Sequence, residues 1–139
     1  MVKKSYPMFQ RFFDEGLAQA SFLIGCDRTK QAMVIDPRRD AAIYLAAARQ
    51  AGTTIVATAD THIHADFVSG ARELAAKGVR VIQDPPDNHR VALGDVAMTF
   101  LRTPGHTPEH ICLLVEAPGQ PVRLFTGDLR LQGNRSGSP

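Results

Sequence analysis

THIHADF, residues 61–67, sets His62, His64 and Asp66 at every second position, directly after the β-branched run 54–58. Alternate residues of an extended segment point to one side, so these three side chains can wrap part of a metal ion. Imidazole suits zinc, iron and copper, and two imidazoles with one carboxylate form a facial set that leaves ferrous iron with open positions. Two further strand ends carry residues of the same kind: His106 in TPGHTPEH, residues 103–110, and Asp128 in FTGD, residues 125–128. Pro104 stiffens the approach to His106, and Gly105 lets the backbone come close. A lone histidine or a Gly-Asp pair is commonly an ordinary turn. Three strand ends together, presented on loops, make a candidate metal centre.

Outward from this stretch the chain alternates short apolar runs with turn residues. Residues 8–13, 18–24 and 32–35 read as strands of an antiparallel meander, stopped by Asp36-Pro37. Asp40 is placed to cap a helix over 41–51 that Gly52 ends. The recurrence of Phe67, Val68, Ala71, Leu74 and Ala75 predicts a second helix, closed by Gly78. Strands are expected at 79–83, 111–115 and 122–126, with a hairpin pairing 89–93 and 96–101 across Gly94-Asp95. The order is mixed α/β, with helices laid on sheet.

The 139 residues are enough for one domain with a core. With 44% hydrophobic and 22% charged residues, the balance is that of a globular protein. A net charge of +2, with basic residues only in short pairs such as Arg38-Arg39, excludes a nucleic-acid footprint. The apolar stretch 41–48 is too short to span a bilayer. Lys3 and Lys4 are followed by Ser5, Tyr6 and Pro7 and not by an apolar export segment, so a cytoplasmic location is expected. Cys26 and Cys112 lack any paired spacing and read as buried, reduced thiols. His89 reads as a structural strand residue and His110 as a strand-start residue that could support a neighbouring ligand.

THIHADF, TPGHTPEH and FTGD resemble, in order, the three metal-binding motifs of the metallo-β-lactamase fold superfamily, over nearly all of the sequence up to Asp128. HIHADFVSGARELA (62–75) and VIDP (34–37) are most similar to the persulfide dioxygenase branch, related to glyoxalase II. The resemblance implies an αββα sandwich of which this sequence holds the N-terminal half, a domain over 1–128, followed by a divergent polar tail over 129–139. It implies one Fe(II) per chain on His62, His106 and Asp128, which would also be the catalytic residues. His64 and Asp66 would orient those ligands or serve as additional ones, and Asp36 would sit near the site.

Members of the superfamily that bind two zinc ions end their first motif in Asp-His, and here Phe67 takes the place of that histidine. The implied activity is oxidation by dioxygen of a low-molecular-weight thiol persulfide, such as glutathione persulfide, to sulfite and thiol. Zinc in the same place would instead give a thioester hydrolase of glyoxalase II type. A third reading is a truncated, non-catalytic domain with a vestigial site, because LRLQGNRSGSP follows Asp128 and no histidine comes after His110. Apolar surface left uncovered by a half-sandwich predicts homo-oligomers. Some bacterial members are joined to rhodanese domains, which leaves room for a rhodanese partner; neither nucleic acid nor membrane is expected as one.

Overall fold

The computed structural model describes residues 7–15, 19–61, 70–83, 85–102 and 111–126. Two sheets face each other. The first has the order β1 (Pro7–Asp14), β2 (Gln19–Cys26), β3 (Gln31–Ile35), β4 (Thr54–Ala59) and β5 (Arg80–Ile82). Its first three strands form the expected antiparallel meander, whereas β3, β4 and β5 run parallel. Parallel neighbours need a crossover. Helix α1 (Ala42–Ala51) supplies it between β3 and β4, and α2 (Ala71–Ala75) lies between β4 and β5. The second sheet is antiparallel throughout, in the order β6 (His89–Leu93), β7 (Val96–Arg102), β8 (Ile111–Glu116) and β9 (Arg123–Thr126).

Period-two alternation sorts the strand side chains into two apolar layers. Between the sheets lie Ile24, Met33, Ile35, Val96, Met98, Phe100, Leu113 and Val115, all nearly or fully buried. On the other side of the first sheet, Leu23, Val34 and Ile55 meet Tyr44, Ala47 and Ala48 of α1 and Leu74 of α2. Tyr44, Ala47 and Ala48 fall at helical spacing i, i+3, i+4, so one stripe of α1 faces the sheet. Each large apolar side chain buried this way stabilises the fold by about 1.5–3 kcal/mol. Gly52 ends α1 in the left-handed conformation, with φ 73°, as its place after the alanine run predicts.

The helix starts differ from expectation. The N-cap of α1 is Ala41, without a side-chain cap, and Asp40 does not fill that role. The Ala41 backbone N–H donates to the Arg39 carbonyl at 2.9 Å and also to Glu73 Oε1 of α2 at 3.0 Å, so a residue distant in sequence ties the start of α1 to α2. The described part of the second helix is Ala71–Ala75, with residues 67 and 68 outside the described set. Its end is a turn in which the Val79 N–H reaches the Leu74 carbonyl and Gly78 takes φ 90°. Strands β5 and β9 are shorter than the apolar runs suggest. Cys26 and Cys112 are buried and form no disulfide, and His89 sits in β6 with its ring 6.0 Å from that of Phe100.

The sheets are clasped at both ends. At one end Arg28, in the β2–β3 turn, makes two hydrogen bonds to Asp95 in the β6–β7 turn. At the other, the Ile111 N–H at the start of β8 donates to the carbonyl of Thr61, just past β4, at 2.7 Å. The described residues that flank the candidate metal-binding motifs lie at this second end.

Candidate functional site

All five candidate ligands, His62, His64, Asp66, His106 and Asp128, lie outside the described residues, as do Phe67 and His110. Among the described residues, no group of three metal-type side chains stands together. What the fold does fix is where the segments that carry the ligands begin and end. Segment 62–69 leaves from Thr61 and re-enters at Gly70, and segment 103–110 joins Arg102 to Ile111, which are partners in the β7–β8 ladder. Residue 127 follows Thr126, the partner of Cys112. Ladder pairing therefore sets the exits of β7 and β9 beside the entry of β8, and the bond from Ile111 to Thr61 brings the exit of β4 to the same rim.

Thr61 is itself held by a buried carboxylate. Asp36, only 2% exposed, accepts the Thr61 backbone N–H at Oδ1 and the Thr61 hydroxyl at Oδ2, both at 2.7 Å. Its own N–H donates to the Ala59 carbonyl at 2.8 Å. Asp36 achieves this in the left-handed region, at φ 56°, a conformation that Asp tolerates better than most residues. Hydrogen bonds to an ionised acceptor are about twice as strong as neutral ones, so the first residue of the THIHADF stretch is firmly placed. Asp36-Pro37 is a strand-ending turn and an anchor at once.

The far end of the segment meets the same turn. The Gly70 N–H donates to the Pro37 carbonyl at 2.8 Å, and a Cβ added at Gly70 would overlap the Arg38 carbonyl oxygen. Only glycine permits that approach. The Arg38 N–H in turn donates to the Tyr44 hydroxyl at 2.9 Å, and that hydroxyl shares a 2.7 Å bond with Ser21 Oγ. Burial pushes the Tyr44 phenol above the ordinary tyrosine range, against the opposing effect of those bonds, so it stays protonated at neutral pH. The residue types do not mark Tyr44 or Gly70 as part of a site. A lone large side chain with a polar tip in an alanine-rich helix was the available signal for Tyr44.

Two facing sheets, with both described helices on the outer face of the first, define the scaffold, and a fold of this kind does not by itself fix a function. No family model matches the chain. It is similar to a hydroxyacylglutathione hydrolase from Nitrosococcus oceani, with 36% identity over 78% of this chain and 46% of that protein. A hydroxyacylglutathione hydrolase from Polaromonas is 37% identical over the same shares. Among solved structures, a metallo-β-lactamase from Staphylococcus aureus aligns with a TM-score of 0.75 and 38% identity, over 82% of this chain and 40% of its own. ETHE1 from Myxococcus xanthus aligns with a TM-score of 0.73 and 27% identity, over 78% and 53%. The chain belongs to the metallo-β-lactamase fold superfamily. It spans about half the length of the curated relatives it matches.

Proposed function

We propose that the chain provides the metal-holding half of an enzyme that hydrolyses a glutathione thioester of the hydroxyacylglutathione kind. The observation that carries this reading is the 36% identity to a protein of that name over 78% of this chain. His62, His106 and Asp128 would hold the metal ion, with His64 and Asp66 beside them as orienting groups or further ligands. The fit rests on donor chemistry and on strand placement. Imidazole and carboxylate donors suit zinc and iron, and the described ends of their segments meet at one rim. When bound, zinc supplies an activated water and polarises the thioester carbonyl. The Asp36 carboxylate fixes the backbone from which His62 follows.

A second reading has its own observation. Phe67 stands where two-metal members carry a histidine, and the run 62–75 resembles the persulfide dioxygenase branch. On that reading the bound ion is Fe(II), one per chain, and the reaction is oxidation of a glutathione persulfide by dioxygen to sulfite and thiol. Both readings put a glutathione-type sulfur at the same rim and differ in the metal and the co-substrate. A cytoplasmic location, association between copies and a rhodanese partner complete the proposal. Among the described residues no helix is long and apolar enough to cross a membrane.

The deciding experiment uses protein purified without oxygen, analysed for metal and assayed in parallel for thioester cleavage and for oxygen uptake with glutathione persulfide. Zinc with thioester cleavage that His62→Ala abolishes supports hydrolysis. Iron with persulfide-dependent oxygen uptake supports the second reading. Neither activity in metal-loaded protein sinks both and leaves a non-catalytic domain.

A further inference from the structure

Thr61 and Gly70, the described residues that flank segment 62–69, are both hydrogen-bonded to the turn Asp36–Arg38. Thr61 is held by the Asp36 carboxylate, and Gly70 by the Pro37 carbonyl. The third residue, Arg38, is held from the helix side through its N–H by the Tyr44 hydroxyl. That hydroxyl has little freedom. Tyr44 is fully buried, its ring packs edge-on against Phe12 at 4.9 Å, and its oxygen is bonded to Ser21 of β2. The ring of contacts then closes on itself. Glu73, on the helix that follows Gly70, binds the Ala41 N–H at the start of the helix that carries Tyr44.

We propose that Tyr44 is a positioning residue for Thr61 and Gly70, which flank segment 62–69: its buried hydroxyl fixes the Asp36–Arg38 turn to which both are hydrogen-bonded. The proposal rests on the reading of this segment as metal-holding. A phenylalanine at position 44 would fill the same space and keep the packing against Phe12, but would leave the Arg38 N–H and Ser21 Oγ without this partner. Loss of one acceptor at a part-buried donor loosens what that donor holds in place more than it disturbs the surrounding apolar layer. The effect should therefore appear at Thr61 and Gly70 and in metal affinity, beyond anything expected from stability alone.

The test compares Tyr44→Phe with Val96→Ala, a truncation in the inter-sheet core chosen as a stability control, in the full chain. Two quantities are read: hydrogen exchange of the Thr61 and Gly70 amides in metal-free protein, and zinc affinity by titration. For Tyr44→Phe the expected result is about tenfold faster exchange at Gly70 than in the control, and about tenfold weaker zinc binding, the lower end of what outer partners of metal sites contribute. Ser21→Ala should move both in the same direction by less. Equal exchange in Tyr44→Phe and the control would overturn the proposal, as would faster exchange with zinc affinity equal to wild type. Faster exchange in a chain whose wild type binds no zinc or iron would leave the pinning intact and sink the metal-site reading instead.

Discussion

Asp36 and Phe67 show how differently two single residues bear on this site. Asp36 combines burial, a left-handed backbone and two charge-assisted hydrogen bonds to Thr61. Asp36→Asn keeps the shape but removes the charge and turns one acceptor into a donor, toward which the Thr61 hydroxyl must turn to accept. The expected cost is about 1 kcal/mol in denaturant unfolding, since the charge assistance is lost but both contacts can still be made. Phe67 is a substitution in the metal pattern itself. If Asp66 is placed to serve a second ion, Phe67→His should raise the metal content per chain, measured by elemental analysis. An unchanged content would mean that the missing histidine does not limit the site. The motif residues stand out in the sequence as candidates because histidine and aspartate recur at alternate positions after a strand, and they lie outside the described residues. From its own residues Asp36 reads only as a turn, since its partners are backbone and hydroxyl groups 25 residues away, and it is the family resemblance that sets it near the site.

At the scale of elements, strands and their ends followed from alternation and turn residues. The meander, the β6–β7 hairpin and the Gly52 stop of α1 stand where the pattern puts them. Helix starts did not follow. A capping motif is local, and α1 instead draws on Glu73, 32 residues on, which only the packing of α2 beside it makes available. Glu73→Ala should therefore cost about 0.5–1.5 kcal/mol, the net worth of one hydrogen bond, whereas Asp40→Ala should change stability by less than about 0.5 kcal/mol. Thermal unfolding of the two variants checks this. Equal losses would restore Asp40 as the cap.

For the molecule as a whole, both described helices lie against the first sheet, and among the described residues β9 is exposed on its outer face. Val122 and Leu124 are 58% and 55% exposed, and Leu124 continues a cross-strand row with Leu114 and Thr99. Apolar surface of this kind favours association. Sedimentation of the isolated chain should show concentration-dependent oligomers, and Leu124→Lys should shift them toward monomer. A monomer at all concentrations would show that this face needs no cover. Composition and motif order made the fold class legible, because the hydrophobic pattern and the three strand-end motifs agree. The division of helices between the two sheets was not, because it depends on which face each amphipathic stripe finds. The most direct measurement of the central claim, that segments meeting at one rim hold a single metal ion, is the metal content of the anaerobically purified chain and of His62→Ala, His106→Ala and Asp128→Ala. The account predicts close to one zinc or iron ion per wild-type chain and loss of most of it in each variant. Full metal content retained in any of the three would contradict it.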